Sequence, residues 1–471
     1  MPEKASYQFG LIGLGVMGRN FILNVADHGF TALGYDLDEA KVRALQEEGG
    51  DLSRVHATAD LATFVRGLET PRKIMLLVPA GKPVDSVIEA LLPLVEAGDL
   101  VIDGGNSFFE DTDRREAYLR PKNIHFFGTG VSGGAEGARR GPSIMPGGDR
   151  EAYRQVQPIF EAVAAKYRGE PCVAYLGPKS AGNYVKMVHN GIEYGLMQLT
   201  AEVYDLLKQD GGLSNAELAA EFGRWNQGRL QSFLVEITAD ILGQKDPLGT
   251  GELIDAILDK AKQKGTGKWT SQNAMDLGIP VPTIDIAVSM RAISALKEAR
   301  VAAHSCFGKP SAGAPGPELA SDCEAALYFA FLLTYAQGLH QLSEASREYG
   351  YGLDLAVVAR IWRAGCIIRS AALEPIAGAF GQQPGLVNLI LSDAFREPLQ
   401  EASRAARRVA ARSMATGIPM PALCSALSYF DAFTSARLPM NLVQAQRDYF
   451  GSHTYERIDR DGTFHTEWGT P

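Results

Sequence analysis

An apolar run that ends in three spaced glycines constrains this chain more than any other feature of its sequence. The segment FGLIGLGVMGRN sets Gly13, Gly15 and Gly18 in GxGxxG spacing, directly after a strand-like stretch and directly before a helical pattern that reaches His28. Gly13 permits a tight turn, Gly15 lets the backbone approach a pyrophosphate, and Gly18 allows close helix packing, while the helix N-terminus offers N–H donors to phosphates. With Leu14, Val16 and Met17 between the glycines, this is a candidate dinucleotide cradle. At the end of the next strand-like run, GYDLDEAK supplies Asp36, placed to accept hydrogen bonds from both hydroxyls of an unphosphorylated ribose. Asp38 adds negative charge, and two carboxylates repel a 2'-phosphate, so NAD is expected in preference to NADP. Lys41 and Arg43 read as a solvated helix face.

The runs FGLIGLG, TALGYD, KIMLLVP, DLVIDGG and NIHFFGTG alternate with amphipathic stretches such as residues 84–95. That alternation predicts a doubly wound, Rossmann-like α/β domain over residues 1–180. Helical periodicity then takes over, and residues 181–438 read as an all-α domain. Residues 439–471 form a polar tail whose Tyr449, Phe450, Tyr455, Phe464 and Trp468 are costly to leave in water, so docking on the body or on a partner subunit is expected. The helical half also carries an internal repeat. GLMQLTAEVYDLL from Gly195 resembles GLHQLSEASREYG from Gly338, and Trp225 and Trp362 follow downstream. In this alignment Lys186 corresponds to Phe329 and Glu193 to Ala336, so two charges exist in the first copy alone.

A length of 471 residues, 46% of them apolar and 21% charged, leaves room for two or three domains. A net charge of -9 argues against nucleic acid or an anionic membrane as partner, so an anionic ligand would need a locally basic pocket. The five cysteines, Cys172, Cys306, Cys323, Cys366 and Cys424, have no CxxC spacing and suit a reducing compartment as structural thiols. MPEKASYQF contains no apolar signal segment, and the apolar stretch 325–339 is short for a bilayer and contains Gln337, so it reads as a buried helix. A cytoplasmic protein is expected.

In SAGNYVKMVHNGIEYGLMQL, Lys186, His189, Asn190 and Glu193 recur at i, i+3, i+4 and i+7, which lines four polar groups along one helical stripe. By itself such a stripe is more often an exposed Lys–Glu face than a site. No HxxxH or clustered carboxylate and cysteine pattern points to a metal.

GLGVMG, DGGNS from Asp103, GVSGGAEGARRGPSIMPGG from Gly130, KMVHNGIEYG from Lys186, KGTGKWT from Lys264 and RDYFGSHTYER from Arg447 occur in that order. In these segments, from the first strand to the tail, the chain resembles the 6-phosphogluconate dehydrogenase family. The resemblance implies oxidative decarboxylation of 6-phosphogluconate to ribulose 5-phosphate, with Lys186 as general base and Glu193 as general acid. It implies that Asn106, Ser132, Gly133, Gly134, His189, Asn190 and Tyr194 surround the sugar acid. Lys264, Arg291, Arg447 and His453 fall at its phosphate end, with Lys268 as an alternative to Lys264. It further implies a homodimer in which the tail, with Arg447 and His453, completes the partner's site. Where NADP-dependent members carry Asn-Arg-Ser or Asn-Arg-Thr, this chain has Asp36, Leu37 and Asp38; where many carry Val-Lys-Ala, it has Val78, Pro79 and Ala80. Both departures favour NAD and leave NADP possible, and Asn106 counts among the cofactor-binding positions as well. A non-decarboxylating dehydrogenase of the 3-hydroxyisobutyrate type shares the first-domain pattern, the SGG loop and the lysine, but needs neither Glu193 nor the tail. A non-enzymatic NAD-sensing scaffold would need none of this chemistry.

Overall fold

The computed structural model describes residues 6–50, 54–310 and 312–469. Seven strands form one sheet: β1 (Phe9–Ile12), β2 (Ala32–Tyr35), β3 (Val55–Thr58), β4 (Lys73–Leu76), β5 (Leu100–Asp103), β6 (His125–Ser132) and β7 (Ser143–Pro146). Their order is β3-β2-β1-β4-β5-β6-β7, with β1 to β6 parallel and β7 antiparallel to β6. β1, β2 and β5 are buried at every position, as parallel strands covered by helices on both faces must be. The strand order reverses between β1 and β4, and a crevice opens beyond their carboxyl ends, where doubly wound sheets bind ligands.

Beyond the sheet the chain is helical as far as the tail, as the periodicity predicts. Two long helices, Ala181–Gln209 and Leu319–Tyr349, pack against each other in its centre. The glycines of the repeat explain how close they come. A Cβ on Gly195 would lie 2.6 Å from Thr334 Cγ2, and one on Gly338 would lie 2.5 Å from Ile192. Each long helix is followed by a shorter one, Asn215–Trp225 or Leu355–Ile361, and the tryptophan at its end is fully buried. The two copies meet at matching points: Ser232 and Ser370 form an antiparallel bridge, Phe233 N donates to Arg369 O at 3.0 Å, and Ala371 N to Gln231 O at 2.8 Å.

Residues 325–339 lie within the second long helix, largely buried, and no helix of the described residues is long and apolar enough to cross a membrane. All five cysteines are free thiols; Cys172, Cys323 and Cys366 are buried, whereas Cys306 is exposed on helix Lys297–Phe307 and packs no core in this chain. The tail is more ordered than its composition suggests. Helix Met440–Gly451 folds with a small hairpin, Tyr455–Glu456 against Thr463–Phe464, around the buried carboxylate of Asp448. Asp448 accepts from Thr454 N and Trp468 Nε1 at 2.8 Å, from Thr466 N at 3.0 Å, and pairs with His465 Nδ1 at 2.8 Å. Among the described residues, no side-chain hydrogen bond or ion pair joins residues 440–469 to the chain before them.

Candidate active site

The turn after β1 has the geometry that its glycines require. Gly13 sits at φ 101°, where a Cβ would lie 2.5 Å from Leu77 O, and a Cβ on Gly18 would lie 1.8 Å from Gly13 O. A Cβ on Gly15 would meet nothing within 4 Å, so this glycine faces open space at the start of helix Val16–Asp27, whose first turn holds no acidic residue to compete with a phosphate. The cleft here, about 690 Å³, is lined by residues that include Gly13, Gly15, Val16, Met17, Gly18, Asp36, Leu37 and Lys41. Leu14 contributes its backbone alone: its side chain is buried and its N–H donates to Asp36 Oδ2 at 2.8 Å. Two sequence readings change here. Asp38 caps helix Glu39–Glu48, accepting from Ala40 N at 2.9 Å, and does not line the cleft. Lys41 is no solvated bystander, because its Nζ lies 3.3 Å from both oxygens of Asp36; Arg43 does face outward, toward Glu39.

Met17 and Val78 also line a second cleft of about 720 Å³, with Pro79, Ala80, Asn106, Lys264 and Trp269. Of the two lysines in the KGTGK loop, Lys264 reaches this cleft and Lys268 does not. The two spaces adjoin as one trough along Met17, Leu77, Val78 and Pro79, with the Asp36 carboxylate in the first and the Asn106 amide in the second.

The stripe is not an exposed face. Lys186 and His189 are buried, Asn190 nearly so, and Glu193 is partly covered. Lys186 is pressed against β6, where a Cβ on Gly130 would lie 2.4 Å from the lysine's own. Burial pulls the Lys186 ammonium below its ordinary pKa, against the opposing pull of Glu193 and Cys366. The same burial raises the Glu193 carboxyl, against Lys186 and Arg291. Burial and then the charge of Lys186 hold His189 well below its usual value, so it carries a single proton. The neighbours place that proton. Asn190 Oδ1, an acceptor, is 3.1 Å from Nδ1, and the Ser132 hydroxyl, 3.3 Å from Nε2, donates to the other nitrogen. His189 therefore turns its N–H toward Asn190, and Lys186 Nζ lies 3.5 Å from Nδ1.

Gly133 and Gly134 follow Ser132 at φ 119° and 63°, and a Cβ on Gly133 would lie 2.6 Å from Gly365 O, so this turn excludes other residues. Arg291 stacks on Tyr194 at 3.9 Å. Arg447 and His453, by contrast, lie exposed in the tail and join no other site residue within the chain.

Residues 8–177 match the NAD binding domain of 6-phosphogluconate dehydrogenase, and residues 182–468 match its C-terminal domain. The chain is 50% identical over 470 residues to the decarboxylating 6-phosphogluconate dehydrogenase of Lactococcus lactis subsp. lactis, covering 99% of both. The chain belongs to the 6-phosphogluconate dehydrogenase family. A second relative, the NADP(+)-dependent decarboxylating 6-phosphogluconate dehydrogenase of Bacillus subtilis, is 50% identical over 98% of this chain and 99% of its own. The solved 6-phosphogluconate dehydrogenase of Plasmodium falciparum, described apo, with NADP+ and with 6-phosphogluconate, superposes with a TM-score of 0.94 at 42% identity, covering 98% of this chain and 100% of its own.

In this member of the 6-phosphogluconate dehydrogenase family the second copy of the repeat roofs the stripe, which sequence reasoning missed. The Trp362 ring meets His189 edge-on at 5.5 Å, Ile367 N points to Ser132 Oγ at 3.5 Å, and the Cys366 thiol, pushed up to about 12 by burial, lies beside Lys186. Thr266 accepts from Asn190 Nδ2 at 3.2 Å. Only Thr266 left a trace in the sequence, inside the KGTGKWT segment; the others are brought in by the long-range pairing of the two copies.

Proposed function

We propose that the chain oxidises 6-phosphogluconate at C3 and releases its carboxylate as carbon dioxide, leaving ribulose 5-phosphate, with NAD the preferred acceptor and NADP a poorer one. The observation that carries this reading is the pair on one helix: a buried lysine whose charge is disfavoured beside a carboxyl whose proton is favoured. A nicotinamide dinucleotide would be held by the Gly13–Gly18 turn, Asp36 and Asn106, and would supply the hydride acceptor for C3. Lys186, neutral, takes the proton of the C3 hydroxyl, and the 3-keto acid formed carries its carboxylate β to a carbonyl. As carbon dioxide leaves, the Lys186 ammonium stabilises the developing enolate oxygen. Glu193 then gives its proton to C1 of the enediol. Asn106, Ser132, Gly133, Gly134, His189, Asn190 and Tyr194 hold the sugar acid, while Lys264 and Arg291 start a cationic pocket for the phosphate that the tail of a partner completes with Arg447 and His453.

We read residues 1–180 as the dinucleotide domain, 181–438 as the substrate and dimerisation domain, and 439–471 as the exchanged tail. A homodimer is supported by apolar surface: helix Lys297–Phe307 has no buried residue, and its Val301 and Phe307 are exposed, as are Leu296 at its N-cap and Leu442, Tyr449 and Phe450 on the tail. Free thiols and the lack of a membrane-crossing helix among the described residues fit a cytoplasmic enzyme.

The preference for NAD follows from Asp36, largely buried at the cleft and tied to two backbone N–H groups, from Leu14 at 2.8 Å and Asp38 at 3.0 Å. Lys41 offsets part of that charge, which leaves NADP weakly accepted rather than excluded. Initial velocities with the two dinucleotides side by side, scored by carbon dioxide released, test the reading. Asp36→Asn combined with Leu37→Arg should raise the NADP to NAD ratio of kcat/KM by at least about tenfold; an unchanged ratio refutes the role of Asp36. Absence of carbon dioxide release by a folded protein would refute the reaction itself.

A further inference from the structure

Two loops wall the second cleft: residues 78–81, leading into helix Lys82–Leu91, and residues 104–107, after β5. One buried guanidinium joins them. Arg115, on helix Phe109–Leu119 and 1% exposed, donates from Nη1 to Asp103 Oδ2 at 3.2 Å and to Ser107 Oγ at 3.3 Å, from Nε to Asp85 Oδ1 at 2.8 Å, and from Nη2 to the Gly81 carbonyl at 3.1 Å. The Asp103 carboxylate, fully buried, accepts in addition from Gly105 N at 3.0 Å and from Ser107 Oγ at 2.6 Å. Asn106 thus stands exposed in the cleft between two clamped neighbours. On the opposite wall Gly81 holds φ 85°, a conformation open to glycine, and its carbonyl is the one that Arg115 holds.

We propose that Arg115 is a positioning residue: by fixing both walls at once it sets the width of the nicotinamide end of the trough and the aim of the Asn106 amide. The inference rests on the reading of this cleft as the nicotinamide end, given above. Arginine is required for its shape. Its planar fork reaches the β5 loop, Asp85 and Gly81 from one side chain, whereas a lysine keeps the charge beside Asp103 but has a single tip.

Calorimetric binding of NADH and of ADP-ribose tests this, because ADP-ribose occupies the β1 end of the trough without entering the Arg115 end. In Arg115→Lys the Kd for NADH should rise about tenfold while that for ADP-ribose stays within about twofold. Equal weakening of both ligands, or no weakening of NADH, overturns the proposal. Should Arg115→Lys fail to fold, Asp85→Ala decides by the same split, since it removes the anchor of Nε on helix Lys82–Leu91, into which the 78–81 wall leads, and leaves the Asp103 pair intact. Binding needs no sugar acid. A wild-type chain that shows the split in its variants but releases no carbon dioxide loses its substrate assignment and not the role of Arg115.

Discussion

Lys186→Met lowers turnover of 6-phosphogluconate by about a thousandfold and leaves NADH binding unchanged, the loss expected when a general base is removed from a site otherwise intact. Methionine suits the position: the stem of Lys186 is already buried against Gly130, and the amine makes no hydrogen bond shorter than 3.5 Å. Ordinary turnover in this variant, with melting temperature unchanged, would remove Lys186 from the mechanism. The pH profile carries the same assignment with a definite sign. Lys186 must be neutral, so kcat/KM rises with pH through its lowered pKa; Glu193 must hold its proton, so activity falls again above its raised pKa. The two interact, and the limbs of the bell belong to the pair. Glu193→Gln separates them. It abolishes the alkaline limb, lowers turnover by about a hundredfold, and leaves the acid limb in place or moves it upward, because Glu193 carries its proton in the active form and its charge is already absent there. An acid limb that moved to lower pH would contradict the pairing.

The sequence made legible whatever is encoded over a few neighbouring residues. The turn at Gly13–Gly18, the carboxylate of Asp36 and the stripe from Lys186 to Glu193 each declare themselves through spacing, and the structure buries Lys186, His189 and Asn190 and partly covers Glu193. Fold class was equally readable where strands are buried on both faces. The strands β3, with the short sequence VHAT, and β7, SIMP, carry no long apolar run, since the first is an edge and the second pairs antiparallel with β6. Charges next to the motif were the harder part. Asp38 and Lys41 stand two and five residues after Asp36, yet one is consumed by a helix N-cap and the other folds back over the carboxylate. Only the direction in which the helix leaves the strand separates those fates. Cys366, Ile367 and Trp362 were invisible for a different reason: they reach the stripe through the meeting of the two copies at Ser232 and Ser370, a contact between segments far apart in the chain.

Two proteins, each inactive alone, should regain about a quarter of wild-type activity when their subunits are mixed, if the tail serves the partner's site. One carries Lys186→Met and the other carries Arg447→Ala with His453→Ala. Random reassociation makes half of the dimers hybrid, and in each hybrid one site joins an intact Lys186 to an intact tail while the other site has neither. The physical case lies in where the cations stand. Within one chain Arg291 stacks on Tyr194 beside Glu193 and Lys264 lines the second cleft, whereas among the described residues Arg447 hydrogen-bonds to Gln444, at 3.0 Å, and His453 projects between Ser452 and Thr454, both in left-handed conformation. A phosphate dianion held by two cations lacks donors that the tail can supply, and each charge-assisted bond lost should cost about tenfold or more in kcat/KM. The tail is built to travel as a unit, since Asp448 ties its helix to its hairpin without help from the body. Its apolar face then needs a surface, and the uncovered side of helix Lys297–Phe307 offers one. If the tail instead folds back onto its own subunit, the hybrid contains one site without its base and one without its phosphate cations, and the mixture stays as inactive as its parents.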